Sequence, residues 1–193
     1  MENHICIRIA FSPKHIFEPL YPVKLLVYCE RLLFVGFGQD RNMGETKQLQ
    51  TPLTDADVRS LRAGDEVLVS GIVYSARDMA HKRLCEAIDP GRTLPFKLEG
   101  AVIYFVGPTP ARPGRVIGAA GPTTSSRMDS FSPKLIAHGL KAMIGKGYRD
   151  EHVREALKEY AAVHLSTLGG AGALLSKHII SAEIIAYDDL GTE

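Results

Sequence analysis

The chain has 193 residues, of which 45% are hydrophobic and 23% are charged, enough apolar material for the core of one soluble domain. Its formal net charge of +1 gives no overall field that attracts nucleic acid or an acidic membrane surface. The chain also has no tryptophan, and its other aromatic residues do not interleave with basic ones as they do on a base-stacking surface. The sequence therefore predicts no nucleic-acid partner.

The apolar run Leu25–Phe37 is interrupted by Glu30 and Arg31 and is too short to cross a bilayer, so we expect no membrane association. The same run predicts a hairpin with strands Lys24–Tyr28 and Leu32–Phe37. Polar, turn-forming residues follow and mark a change in composition. We interpret residues 1–46 as an N-terminal extension and residues 47–193 as the domain proper.

Beyond this boundary, short helices and strands alternate. Thr54 and Asp57 form a helix-capping pattern, and the continuous apolar run Gly100–Val106 is typical of a strand covered on both faces. Helices are predicted at Asp55–Arg62, Ala76–Ala87, Pro133–Leu140, Glu151–Tyr160 and Ala171–His178. Further strands are predicted at Glu66–Tyr74, Ala142–Ile144, Ala162–Leu168 and Ala182–Tyr187. This alternation indicates α/β architecture with a mostly parallel sheet.

The three cysteines, Cys6, Cys29 and Cys85, match no zinc or ferredoxin spacing. Their odd number argues against a disulfide framework. Cys85 lies in a predicted helix, and we interpret it as a buried structural thiol. The sequence therefore predicts no metal ligands on this chain and a reducing, cytoplasmic location.

Three polar stretches follow predicted strands, at the position where α/β sheets commonly bind ligands. They read SARDMAHKR at Ser75–Arg83, a Gly/Pro/Thr/Ser-rich sequence at Gly107–Asp129, and GKG at Gly145–Gly147. So long a loop in a compact domain is usually functional.

The polar stretches contain three separate cations, Arg77, Arg127 and Lys146. Each arginine can bind a carboxylate through parallel hydrogen bonds, and the lysine adds a point charge. The Thr123 hydroxyl can donate to or accept from a substrate oxygen. This set predicts a site for a small dianion such as a dicarboxylate.

Simpler interpretations exist for the same residues. The two arginines would equally form surface ion pairs with the neighbouring Asp78 and Asp129. Thr123–Ser126 would cap a helix, Lys146 would be a turn residue, and His81 would be a core or surface histidine. A nucleotide phosphate loop is not favoured, because neither glycine-rich phosphate motif is present. The residues by themselves predict an α/β domain with a small-anion site.

The same stretches resemble the C-terminal domain of class I fumarases and the β subunit of L(+)-tartrate dehydratases. The resemblance covers Leu49–Glu193 and depends mainly on two motifs, GPTPARPG at Gly107–Gly114 and GPTTSSRMD at Gly121–Asp129. It continues through GGAGALLSKHI at Gly169–Ile179.

This resemblance implies that residues 47–193 form a swivelling β/β/α domain, with three layers and a mostly parallel central sheet. It implies an iron–sulfur hydro-lyase, in the first place fumarate hydratase, with L(+)-tartrate dehydratase or a non-catalytic small-anion-binding module as alternatives. The four-iron four-sulfur cluster would be carried by a cluster-bearing alpha subunit, so the chain is expected to need this partner. A homo-oligomer of the chain alone is left open.

The resemblance also implies roles for individual residues. Thr123 is similar to a threonine implicated in proton transfer, and Arg77, Arg127 and Lys146 would bind the substrate carboxylates. Fixed cations of this kind stabilise the negative charge that builds up when a proton is removed next to a carboxylate. Three further positions match family motifs and are given a supporting role: Asp78, His81 and Thr124.

Overall fold

The computed structural model describes residues 4–11, 25–28, 46–167 and 169–192. In chain order its elements are β1 (His4–Phe11), β2 (Leu25–Tyr28), β3 (Lys47–Gln50), α1 (Asp55–Arg59), β4 (Glu66–Ser75), α2 (Asp78–Ile88), β5 (Val102–Tyr104), α3 (Ser132–Ala137), β6 (Ala142–Gly145), α4 (Glu151–Glu159), β7 (Val163–Ser166), α5 (Gly172–Leu175) and β8 (Ile179–Thr192). Short 3₁₀ turns cover Ser125–Met128 and Ser176–His178.

All of the described strands belong to one sheet. The neighbouring pairs from β3 through β4, β5 and β6 to β7 are parallel. The strands β1, β2 and β8 pair antiparallel, and β2 contacts both β7 and the first residues of β4, so the sheet curls back on itself. The predicted α/β class with a mostly parallel central sheet is confirmed.

Apolar layers cover both faces of the central strands, as the continuous apolar run predicted. In β5, Val102 and Tyr104 belong to one buried cluster and Ile103 to the other, because successive side chains of a strand point to opposite faces. Helices α2, α3 and α4 cover the Ile103 face with side chains that include Leu84, Leu135 and Val153. The opposite face is covered by α1, the loop after β5, and α5, with side chains that include Val58, Ile117 and Leu175. The domain therefore has three layers.

Several element boundaries differ from the predicted ones. The capping pattern at Thr54 is confirmed, since its hydroxyl accepts from the Asp57 amide and the Asp57 carboxylate accepts from the Thr54 amide. However, α1 ends at Arg59, because the chain then turns through a hydrogen bond from the Arg62 amide to Asp65. Helix α2 begins at Asp78, two residues later than predicted, with extended Arg77 at its N-cap.

At the other end of the chain, the predicted helix Ala171–His178 is divided into α5 and a 3₁₀ turn, and β8 is longer than the predicted strand Ala182–Tyr187. Strand β8 can extend so far because it pairs with β1 over most of its length.

Two strands come from the stretch that was predicted to be an N-terminal extension. Strand β1 lies between β4 and β8, and β2 corresponds to the first arm of the predicted hairpin. The second predicted arm, Leu32–Phe37, lies outside the described residues, and the boundary between residues 46 and 47 stays a prediction. In the part of the chain that the structure describes, no helix is long and apolar enough to span a membrane.

Candidate functional site

The parallel strands bring the three polar stretches to one edge of the sheet, here called the carboxyl edge and formed by the C-terminal ends of β4, β5, β6 and β7. Arg77 follows the last residue of β4 by two positions, and Lys146 directly follows β6. The long loop after β5 returns to this edge at Thr123. The predicted cations and the predicted hydroxyl residue therefore lie in segments that meet.

Backbone hydrogen bonds hold the Thr123 segment between β5 and β6. The Thr123 amide donates to the Phe105 carbonyl at 2.6 Å, and the Lys146 amide donates to the Thr123 carbonyl at 3.2 Å. The Ser125 amide returns to the Lys146 carbonyl at 2.8 Å, and Thr124 forms a parallel bridge with Lys146. Thr123 is half-buried and Thr124 is exposed. Among the described residues, no group hydrogen-bonds the Thr123 hydroxyl, which leaves it available to a ligand.

The two arginines share one carboxylate at this edge. Arg127 Nη2 lies 2.7 Å from both carboxylate oxygens of Asp78, and Arg77 Nε lies 4.0 Å from Asp78 Oδ1. Partial burial raises the pKa of Asp78, but the hydrogen bond from Arg127 and the nearby positive charges outweigh it and hold this pKa below its usual value. Asp129 is paired with Arg149 instead. The simple pairing of Arg127 with Asp129 is therefore wrong.

Lys146 is half-buried and lies against a glycine of the loop after β7. A Cβ added to Gly169 would lie 3.6 Å from Lys146 Nζ, an ordinary van der Waals distance, so the amine packs close to this loop. Within the described residues, Lys146 has no carboxylate in ion-pair distance. The carboxyl edge therefore has an excess of two positive charges, because three cations (Arg77, Arg127 and Lys146) lie there with one carboxylate, that of Asp78.

His81 lies near the start of α2, is fully buried, and hydrogen-bonds the backbone of Arg77. Its Nδ1 lies 2.6 Å from the Arg77 carbonyl oxygen, and because a carbonyl only accepts, Nδ1 carries the proton and donates. Burial lowers the pKa of His81 to about 4 in spite of this hydrogen bond, so the ring is neutral near pH 7. His81 thus fixes the position of Arg77 from below and does not reach the surface.

A second buried histidine, missed by the sequence analysis, supports the Thr123 segment. Ser125 Oγ and His164 Nε2 lie 2.9 Å apart, and both residues are buried. Burial, with a smaller effect of the Arg149 charge, lowers the pKa of His164 to about 3. A Cβ on Gly145 would collide with Ser125 Oγ and approach Phe105 Cδ2 to 2.7 Å, so only glycine fits beneath this contact. The only feature of the sequence that indicates this close packing is Gly145 itself, directly before Lys146.

The described residues do not fit an iron–sulfur cluster. The Cys85 thiol is buried in α2 and donates to the Phe131 carbonyl at 3.6 Å, and burial raises its pKa, which opposes formation of the thiolate that a cluster needs. The side chains of Cys6 and Cys29 lie outside the described residues. Where side chains are described, no group of three His, Cys, Asp or Glu residues is arranged to hold a metal ion.

Comparison with known proteins identifies the family. A family model described as the fumarase C-terminus matches residues 35–193. A putative L(+)-tartrate dehydratase subunit beta from Methanocaldococcus jannaschii is 34% identical over 143 residues, which cover 72% of this chain and 73% of that protein. The anaerobic class I fumarate hydratase of Escherichia coli is 37% identical over 127 residues, which cover 65% of this chain and 23% of the relative. A putative class I fumarate hydratase of Geobacillus stearothermophilus is 34% identical over 147 residues, which cover 74% of this chain and 28% of that protein.

The chain thus spans about a quarter of the length of the class I fumarate hydratases that it matches. The match to the family model begins at residue 35 and continues through every element from β3 to β8. Because this match covers most of the sequence, the chain belongs to the fumarase C-terminus family.

Proposed function

We propose that this chain is the beta subunit of an iron–sulfur-dependent hydro-lyase, and that the enzyme catalyses the reversible hydration of fumarate to malate. The observation that supports the proposal most directly is the meeting of three cations and the Thr123 hydroxyl at the carboxyl edge. Their excess of two positive charges complements the two carboxylates of such a substrate.

In this proposal, Arg77, Arg127 and Lys146 bind the substrate carboxylates. Asp78 occupies only Nη2 of Arg127, so this side chain keeps donors for a carboxylate of the substrate. The cations also stabilise the negative charge that develops beside a carboxylate when the neighbouring carbon loses its proton. Thr123 takes part in that proton transfer at its Oγ1. A hydroxyl has a high pKa, so Thr123 needs an acidic group of the partner to act in this way.

The supporting residues act on these groups. Asp78 orients Arg127 through its hydrogen bonds, His81 orients Arg77 through the backbone carbonyl, and Thr124 continues the bridge to Lys146. The cluster would be carried by a cluster-bearing alpha subunit, since the described residues here do not fit one. The name of the tartrate dehydratase relative, a subunit beta, supports a two-subunit enzyme. We also propose a cytoplasmic location.

The experiment that tests this function is anaerobic co-expression with the cluster-bearing chain, followed by assays with fumarate, malate and the tartrate isomers. We expect turnover by the complex and none by this chain alone. Arg127→Ala should lower kcat/KM by about 30-fold or more, because loss of a charged hydrogen bond that the partner subunit would bury in the complex costs about 2–5 kcal/mol. Arg83→Ala is the matched control, since this arginine pairs with Asp189 on β8 and is not part of the proposed site. A complex with an intact cluster but no turnover of any of these substrates would disprove the proposal.

A second candidate is the beta subunit of L(+)-tartrate dehydratase. It is favoured by the coverage of 73% of the Methanocaldococcus jannaschii relative, since the class I fumarate hydratases are matched over much smaller shares. A kcat/KM for L(+)-tartrate above that for fumarate would select it. A non-catalytic small-anion-binding module is the third possibility. It predicts that the isolated chain binds fumarate but that no co-expressed partner produces turnover.

A further inference from the structure

A buried ion pair lies directly beneath the loop that carries Thr123 and Arg127. Arg149 Nε donates to Asp129 Oδ1 at 2.6 Å, and the two side chains are only 3% and 9% exposed. Arg149 Nη2 donates to Ser132 Oγ at 2.6 Å, and Nη1 lies 3.4 Å from Met143 Sδ. The guanidinium carbon also lies 5.3 Å from the centroid of the Phe105 ring. Every nitrogen of this buried guanidinium therefore has a partner.

The pair joins the two segments that carry proposed substrate-binding cations. Asp129 follows Arg127 by two positions, and Arg149 follows Lys146 by three. The second carboxylate oxygen of Asp129 accepts the Asp150 amide at 2.9 Å, so it also fixes the backbone next to Arg149.

On the side of the loop, Ser132 Oγ receives Arg149 Nη2 and donates to the Met128 carbonyl at 2.8 Å. Because Met128 is adjacent to Arg127, Arg149 reaches the backbone of the Arg127 segment through two routes, Asp129 and Ser132. On the other side of Arg127, backbone hydrogen bonds from the Lys146 amide to the Thr123 carbonyl and from the Ser125 amide to the Lys146 carbonyl join the same two segments. Arg127 thus lies between two fixed points.

Stability alone does not account for this arrangement. Burial of two charges costs desolvation free energy, and well-packed apolar residues in place of a buried ion pair are often equally or more stabilising. The neighbours Phe105 and Met143 show that the surroundings are suited to an apolar side chain. A complete set of directional hydrogen bonds, by contrast, fixes distances that apolar packing leaves variable.

We propose that Arg149 and Asp129 are positioning residues that set the separation between Arg127 and Lys146, and thereby the spacing at which the two carboxylates of the substrate are held. This inference depends on the proposed function, because Arg127 and Lys146 are assigned there to the carboxylates. Arg149 and Asp129 themselves do not touch the substrate.

The first test uses Arg149→Lys in the reconstituted complex. Lysine keeps the buried charge opposite Asp129 but cannot reach Ser132 and Met143 at the same time. We expect kcat/KM for fumarate to fall about 100-fold, the usual order for displacement of a positioned group by about 1 Å. The matched control is Arg83→Lys, which alters an arginine–aspartate pair outside the carboxyl edge and should leave kcat/KM unchanged.

A double-mutant cycle separates positioning from a general loss of stability. If Arg149 acts through Arg127, then Arg149→Lys should have less than a threefold effect in the Arg127→Ala background. An equal 100-fold loss in both backgrounds would overturn the inference, as would wild-type kinetics of Arg149→Lys. If Arg149→Lys does not fold, Ser132→Ala replaces it in the same cycle, because it removes the link to Met128 and leaves the ion pair intact.

The second test needs no activity and uses the full chain alone. Backbone hydrogen exchange at Thr123 and Ser125 should become at least tenfold faster in Arg149→Lys and stay unchanged in Arg83→Lys. Unchanged exchange at these amides would overturn the inference even if the enzyme is a fumarate hydratase. If the exchange rises as expected but the wild-type complex turns over none of the dicarboxylates, the ion pair does position the loop and it is the proposed function that fails.

Discussion

Gly145→Ala tests whether the packing beneath the Thr123 segment is as tight as the structure indicates. Gly145 is the last residue of β6, and a Cβ there would collide with Ser125 Oγ and lie 2.7 Å from Phe105 Cδ2. Ser125 and Phe105 are both buried, so neither can move into solvent. The methyl group must therefore displace Ser125 from its contact with His164.

The expected loss of stability has two parts. Insertion of a methyl group into a close-packed site costs about 1–3 kcal/mol. Separation of Ser125 from His164 leaves buried polar atoms without a partner, which costs another ~1–3 kcal/mol. A gain of about 0.4–1 kcal/mol from the lower freedom of alanine in the unfolded chain opposes these terms. Gly145→Ala should thus lower the free energy of unfolding by about 1–6 kcal/mol.

The assay is urea unfolding followed by far-ultraviolet circular dichroism, with Gly121→Ala as the control. Gly121 lies in the same motif as Thr123, but its added Cβ would be 3.6 Å from Gly172 Cα, an ordinary contact. Neither glycine has a positive φ, so the effect on the unfolded chain is the same in both variants. If the two variants unfold within about 0.5 kcal/mol of each other, the tight packing inferred at Gly145 is wrong.

Three further predictions concern the mechanism, pH and the N-terminal strands. Thr123→Ala in the reconstituted complex should lower kcat strongly and Thr123→Ser should recover much of it, whereas a rise in KM alone would make Thr123 a binding residue. The pKa values of His81 and His164 are lowered to about 4 and about 3 from 6.5, so the unfolded chain binds more protons below pH 6.5. The free energy of unfolding should therefore be steady above pH 6.5 and fall toward pH 4, by up to about 1.4 kcal/mol per pH unit for each histidine; a flat urea-unfolding profile would contradict this. Deletion of residues 1–42 removes β1 and β2 and leaves β8 without its partner, so we expect a lower Tm or aggregation, and an unchanged Tm would show that these strands are dispensable.

The parts of the fold that depend on local patterns were predictable from the sequence. The alternation of β5 side chains between two cores and the capping of α1 at Thr54 follow from residues a few positions apart. The convergence of the polar stretches was also predictable, because parallel strands place their carboxyl ends at one edge. By contrast, the sequence did not predict β3 (Lys47–Gln50), whose short, mostly polar segment is a strand only because it pairs with β4.

The partners of the charged residues at the site were not predictable. Sequence neighbours suggested that Arg127 pairs with Asp129, but the 3₁₀ turn directs Asp129 into the interior, toward Arg149. That partner lies 20 positions away, on a segment that follows a different strand. The buried role of His164 was not predicted, because it depends on a contact with Ser125, 39 positions away. For His81 the sequence left a core and a surface position open, and the packing of its ring against Phe105 places it in the core.

The exposure of the carboxyl edge gives a physical reason why the proposed beta subunit would need a partner. Arg127 and Asp78 are 44% and 31% exposed, so water screens their charges. A pair of unit charges 4 Å apart interacts with about 1 kcal/mol in water but about 4 kcal/mol at the effective dielectric constant near a protein surface. A partner that covers the edge and expels water would strengthen each cation–carboxylate contact several-fold without moving any residue of this chain. The buried supports, Arg149 with Asp129 and His164 with Ser125, already hold the loop in place beneath the edge. In the proposed complex this chain therefore supplies a preorganised set of charges, and the partner supplies the low dielectric in which those charges become effective.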